Sequence, residues 1–139
     1  MSFANTRFRT AVHALAVIAF VPEEQASSDA IAASIATESS VVRRLLSQLR
    51  NAGLVLGAQG RSGGYRLSRS AKDISLRDVF VALEPEELFP MPERKPNPNC
   101  PIGSKIHSVL QEPLDAARAN MEESLASTSL ADVILRVQA

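Results

Sequence analysis

The chain has 139 residues, 45% of them hydrophobic and 22% charged, with zero formal net charge. That length fits one domain, or one domain with an oligomerisation extension, and that apolar content excludes a disordered chain. Aromatic residues make up only 4% and tryptophan is absent, so the core must be built from Leu, Val, Ile and Ala.

Thr6–Phe20 places Phe8, Val12, Leu15, Ala16 and Ala19 at helical spacing, which predicts an amphipathic helix. Arg7 and Arg9 before the apolar run Ala11–Val21 weakly imitate a secretory leader. However, Val21-Pro22-Glu23-Glu24 is a poor cleavage region, and no apolar run reaches the ~18 residues that span a membrane. One cysteine cannot form an intramolecular disulfide. The expectation is a cytoplasmic protein without a membrane partner.

Next, Ser28 is read as the N-cap of a short helix, Asp29–Ala36, with Ile31, Ala32 and Ile35 as its apolar stripe. A capping hydroxyl accepts a free backbone N–H, and Asp29 suits the positive helix end. Thr37-Glu38-Ser39 is a tight connection. A third helix follows from about Ser40 to Ala52, with Val41, Leu45, Leu46 and Leu49 on one side and Arg43, Arg44, Ser47 and Arg50 pointing elsewhere. Gly53 suits the left-handed residue that ends a helix. Two short helices joined by a three-residue turn, the second with a basic outer face, form a helix-turn-helix pattern.

The period then changes. Leu54-Val55-Leu56 and Tyr65-Arg66-Leu67-Ser68 read as strands around the glycine-rich turn 57–64, a β-hairpin whose tip holds Arg61. Ser75 can cap a helix over Leu76–Leu83. Residues 84–101 are proline-rich and read as an extended connection. From Ile102 a long helix carries Ile106, Val109, Leu110, Leu114, Ala117, Met121 and Leu125 in one stripe, with Pro113 expected to kink or break it. Thr128 or Ser129 can cap a last helix, Leu130–Val137.

The expected fold is thus mainly α with a small β-hairpin wing: a winged helix-turn-helix followed by a long C-terminal dimerisation helix. Residues 1–84 form the DNA-binding domain, 85–101 the linker, and 102–139 the dimerisation and C-terminal helices. A single helix that long cannot bury its stripe alone, so pairing with a second copy is favoured over an antiparallel return within one chain.

Charge is segregated despite the zero total. Residues 39–72 hold seven basic residues (Arg43, Arg44, Arg50, Arg61, Arg66, Arg69, Lys72) and no acid, whereas 73–139 hold eleven acidic and six basic ones. Such a local positive surface suits phosphate, with an inert solvated face as the alternative.

Three segments carry a specific resemblance: Val41-Val42-Arg43-Arg44-Leu45-Leu46, Leu49-Arg50-Asn51-Ala52-Gly53-Leu54-Val55 and Gly60-Arg61-Ser62-Gly63-Gly64-Tyr65-Arg66-Leu67. Together they resemble the Rrf-two family of bacterial winged-helix regulators over nearly the whole chain. Ile74-Ser75-Leu76-Arg77-Asp78-Val79 is similar to that family's next helix, and Asn99-Cys100-Pro101-Ile102-Gly103 to its YwnA-like branch. The resemblance implies a homodimeric repressor or activator that binds double-stranded DNA. It implies that Ser39, Ser40, Arg43, Arg44 and Ser47 lie on the recognition helix at the major groove, and that Ser28 caps the supporting helix near a phosphate. It also implies that Arg61 on the wing meets the minor groove or backbone, with Gly63, Gly64 and Tyr65 shaping that wing. An arginine in the major groove can read guanine with two hydrogen bonds or simply clamp a phosphate.

Cluster-holding members of the family use three cysteines before the long helix, whereas this chain has Cys100 alone. A cluster needs about four ligands, and His13 and His107 are isolated, so neither cofactor nor metal is expected. Cys100 is a candidate redox residue, because a nearby helix start lowers a thiol pKa; the alternative is a small hydrophobe at a dimer seam. A small-molecule effector of unknown identity between the long helix and the DNA-binding body is also open. There is no phosphate-loop pattern, and Glu86-Glu87 and Glu122-Glu123 are adjacent pairs whose side chains diverge, so catalysis is not expected. The rival reading is a dimeric winged-helix protein-interaction module without DNA binding.

Overall fold

The computed structural model describes residues 4–21, 26–57, 64–83 and 87–139. In chain order these form α1 (Ala4–Phe20), α2 (Ser28–Ile35), α3 (Ser39–Asn51), β1 (Val55–Gly57) and β2 (Tyr65–Leu67). A 3-10 turn at Ala71–Asp73 leads into α4 (Leu76–Ala82), α5 (Ile106–Ala126) and α6 (Leu130–Gln138).

The core is aliphatic, as the composition requires. Leu15, Ile18, Ile31, Val42, Leu46, Leu49, Val55, Ile74, Val79 and Leu130 are fully buried together. Burying each such side chain contributes about 1.5–3 kcal/mol. The deepest face of α1 is Ala11, Ala14, Leu15 and Ile18, while Phe8, Val12 and Ala16 from the sequence stripe pack half-buried beside it. The two alanines let neighbouring helices approach α1 closely.

α2 is capped one residue earlier than expected. Ser27, in extended backbone, accepts the Ala30 N–H on its hydroxyl at 3.0 Å, and Ser28 is already the first helical residue. Adjacent serines offer identical capping chemistry, so only the backbone angles of Ser27 separate them. The helix ends on Ala36, whose φ of 65° is left-handed although it carries a Cβ. α3 ends with a Schellman pattern: Gly53 has φ 80°, its N–H reaches the Arg50 carbonyl at 2.9 Å, and the Leu54 N–H reaches Leu49 at 3.0 Å.

β1 and β2 pair antiparallel, with Val55 opposite Leu67 and Gly57 opposite Tyr65. The free edge of β2 is met by Ala26, whose N–H and carbonyl bond to those of Tyr65 at 3.2 and 2.8 Å. The hairpin is thereby stitched to the segment leading into α2.

The starts of α4 and α6 form a matched pair. Ser75-Leu76-Arg77-Asp78 and Ser129-Leu130-Ala131-Asp132 each make a complete capping box. Ser75 and Ser129 bridge antiparallel: the Leu76 N–H reaches Thr128 at 2.9 Å and the Leu130 N–H reaches Ile74 at 2.8 Å. This clasp returns the C-terminal helix to the core, where Leu130 is fully buried.

α5 begins at Ile106 rather than Ile102, after hydrogen-bonded turns over 101–105, and runs continuously through Pro113 for 21 residues. Proline interrupts one hydrogen bond without ending the helix, because its neighbours complete theirs on either side. No residue of α5 is buried. It is held to the body by Arg77 of α4, which reaches Glu122 at 3.5 Å, and by the Arg118 guanidinium 5.8 Å above the Phe80 ring, while Arg118 also pairs with Glu122 within α5 at 3.4 Å. Phe80 in turn meets Phe8 of α1 at a centroid distance of 6.2 Å.

Candidate nucleic-acid interface

The rotation of α3 decides which of its side chains meet solvent. Val42, Leu45, Leu46 and Leu49 face the core, leaving Ser40, Val41, Arg43, Arg44 and Arg50 exposed and Ser39, Ser47 and Gln48 half-buried. The sequence assignment of Val41 to the inner face is therefore corrected to Val42. Leu45, Leu46 and Leu49 fix the centre of the buried arc, and at 3.6 residues per turn Val42 falls within it while Val41 falls at its edge.

Two side-chain hydrogen bonds hold that rotation. The Ser39 hydroxyl donates to Asp29 of α2, and Arg7 of α1 donates to the Gln48 side chain. Arg43 and Arg44 carry no ion pair among the described residues, so the outer face of α3 is a cationic surface without internal neutralisation. Ser28 lies half-buried in the first turn of α2, where it is a neighbour of the cap rather than the cap.

On the hairpin, Arg61 and Gly63 lie outside the described residues. Gly64 is buried. Tyr65 is half-buried, stands opposite Gly57 of β1 and bonds through its backbone N–H and carbonyl to Ala26, so it anchors the wing to the body. A Cβ on Gly57 would lie 3.4 Å from the Tyr65 ring and 3.9 Å from the Arg50 guanidinium. Arg50 therefore extends over the base of the hairpin, extending the basic face of α3 towards the wing. Its partner there could not be read from the sequence, because the contact depends on the hairpin's return.

Cys100 sits half-buried in a tight turn, its N–H on the Asn97 carbonyl at 3.2 Å and its carbonyl accepting from Ser104 at 3.0 Å. The backbone N–H groups of Gly103 and then Ile102 hold its thiol below the usual range. The sequence attributed this effect to a helix start. Because α5 begins only at Ile106, the turn's own amides supply it. Gly103 permits that turn: a Cβ there would lie 3.1 Å from the Asn97 carbonyl oxygen.

A broad apolar groove of about 720 Å³ runs between α1 and α6, lined by Phe8, Val12, Phe20, Val133, Ile134 and Val137. His13 and Ser34, 2.9 Å apart, form its polar end. A second recess lies between α5 and the linker residues 87–92.

The Rrf2 family, described as "Iron-dependent Transcriptional regulator", matches residues 4–136. The chain belongs to the Rrf2 family. It is 40% identical over 131 residues to YwnA of Bacillus subtilis (strain 168), assigned as an HTH-type transcriptional regulator, covering 94% of this chain and 96% of that protein. Among solved structures, T. potens IscR superposes with a TM-score of 0.70 at 26% identity, covering 95% of this chain and 85% of that one. The B. subtilis global cysteine regulator CymR superposes at 0.66 with 26% identity, covering 94% and 95%. This Rrf2 chain is a DNA-binding transcriptional regulator of the winged helix-turn-helix type, which sets aside the protein-interaction scaffold.

The iron in the family's description finds no fit among this chain's described residues. Its only cysteine is Cys100, against the roughly four ligands of a cluster. Among the described residues no group of three or more His, Cys, Asp or Glu side chains could hold a metal ion. No helix among them is long and apolar enough to cross a membrane.

Proposed function

We propose that this regulator acts as a homodimer in the cytoplasm. It lays α3 in the major groove of double-stranded DNA and its wing along the minor groove or backbone, and it represses transcription without catalytic activity. The observation that carries this reading is the outer face of α3, where Ser40, Arg43, Arg44 and Arg50 are exposed and no acid intervenes. Recognition helices enter the groove by their N-terminal residues, which here are Ser39, Ser40, Arg43 and Arg44, with Ser47 one turn on. Arg61 completes the contact at the wing, which Gly63 and Gly64 shape and Tyr65 anchors.

Support for the dimer comes from α5. Val109 is 64% exposed and Ile102 just before the helix 72%, an apolar stripe that a second copy of the helix would cover by two-fold symmetry. Cys100, at the start of this segment, is the group we assign to thiol-based sensing.

The test is binding of the purified protein to duplex DNA from upstream of its own gene, at several salt concentrations. Affinity should fall steeply with salt. Replacing Arg43 and Arg44 together by alanine should weaken binding at least ~30-fold, given ~1–3 kcal/mol per base-reading arginine. Binding indifferent to both changes would remove α3 as the reading element.

A further inference from the structure

We propose that Val41 reads a thymine through its 5-methyl group and sets base preference at one position of each half-site. This rests on the DNA-binding reading above. Val41 is 43% exposed, and it is the one large apolar side chain of α3 exposed to that degree. Its neighbours on the helix surface are Ser40 and Arg44, both exposed, and Gln48, half-buried. Val42 does the core's work beside it, fully buried. Val41 lies outside the core, on the flank of α3 that it shares with Arg44 and Gln48, at the rim of a recess lined by Arg7, Ile35 and Thr37.

A valine offers neither donor nor acceptor. Among the groups that base pairs present in the major groove, the thymine 5-methyl is the apolar one. The β-branched side chain is stiff at χ1 in a helix, so its two methyl groups are set before contact and little freedom is lost on binding. Its place is also fixed. The bonds from Ser39 to Asp29 and from Arg7 to Gln48 lie before and after it along α3 and tie the helix to α2 and α1. Arg44, one turn later on the same edge, is placed to contact the neighbouring base pair or its phosphate, so the pair would read adjacent positions by different chemistry.

The experiment selects duplexes from a randomised pool with the full-length protein, then replaces each thymidine of the selected site by deoxyuridine, which removes only the methyl group. One thymidine per half-site should be sensitive, with binding by the wild type weakened about fourfold, as burial of a single methyl group implies. In Val41→Ala the same replacement should have no effect, while the unmodified site binds about as weakly as wild type binds the uracil site. Val41→Asn should shift the selected base at that position towards adenine, whose edge an amide can read. Both substitutions are at an exposed position, and an unchanged melting temperature confirms the fold. Selected sites in which no deoxyuridine effect depends on residue 41 would overturn the assignment. A pool that yields no enrichment would overturn DNA binding by this face, and the Val41 contact with it.

Discussion

One guanidinium nitrogen of Arg7 serves two helices at once: it donates to the side-chain oxygen of Gln48 on α3 and to the carbonyl of Leu83, 3.4 Å away, where α4 closes. Arg7 thus positions the recognition helix from behind without reaching the surface that meets DNA. Arg7→Met should weaken operator binding about tenfold, the worth of one part-buried charge-assisted hydrogen bond, and leave the salt slope unchanged. Gln48→Met should do the same, and the double variant should be no worse than either single one. Arg44→Ala, by contrast, should lower the slope by about one, as a lost phosphate contact does. Titrations by fluorescence anisotropy at three salt concentrations separate the two behaviours, and a reduced slope for Arg7→Met would make it a DNA contact instead.

The left-handed Ala36 is a cost built into the turn between α2 and α3. A non-glycine residue there sacrifices about 1–2 kcal/mol of backbone energy, part of which glycine forfeits again as chain entropy. Ala36→Gly should therefore raise stability by about 0.5–1 kcal/mol. The urea midpoint should move up at constant slope. A drop in the midpoint would show that Ala36 is not left-handed in solution.

The paired capping boxes predict an acid limb. Burial pushes the Asp78 carboxyl up, but bonds from the Ser75 N–H and hydroxyl and from Arg69 outweigh it and hold the group low. The Ser75-like partner at Ser129 does the same for Asp132. Both folded values lie below the unfolded one, near 3.9, so the unfolded chain binds more protons in that window. The stabilisation is complete above about pH 4–5 and disappears as pH falls through the folded values. Asp78→Asn with Asp132→Asn should be less stable than wild type at neutral pH and show a flatter decline in thermal midpoint between about pH 5 and 3. An equally steep decline would place the titrating groups elsewhere.

Cys100 should react with iodoacetamide at neutral pH faster than a thiol of ordinary pKa, since the amides of Gly103 and Ile102 favour its thiolate. Cys100→Ser should retain operator binding and lose release by peroxide. Release that survives in Cys100→Ser would leave the cysteine a packing residue only.

Much of this was legible in the sequence because the signals are local. Ser75 marked the start of α4, and Gly53 marked the end of α3. Two of the errors are those of single-residue register. Ser27 and Ser28 have the same chemistry and differ only in backbone angle. Val41 and Val42 are both β-branched, and only the packing of α1 and α2 decides which turns inward. The start of α5 was read four residues early because the turns over 101–105 carry helix-like spacing, with the Ile106 N–H already bonded to Ile102 at 2.9 Å. The Arg7 bridge and the return of α6 to the core were not legible at all, since each joins residues far apart in the chain.

The clasp between Ser75 and Ser129 has a mechanical consequence. With the contacts of Arg118 and Glu122 to α4 it fixes the C-terminal half of α5, and the preceding helix over 106–117, about 18 Å, reaches to the turn that holds Cys100. The far end of α4 is tied through Leu83 and Arg7 to the back of α3, so an unbroken chain of contacts joins the thiol's helix to the reading helix. That chain runs past two bridged serines, Ser75 and Ser129, which lie apart from both the outer face of α3 and the thiol.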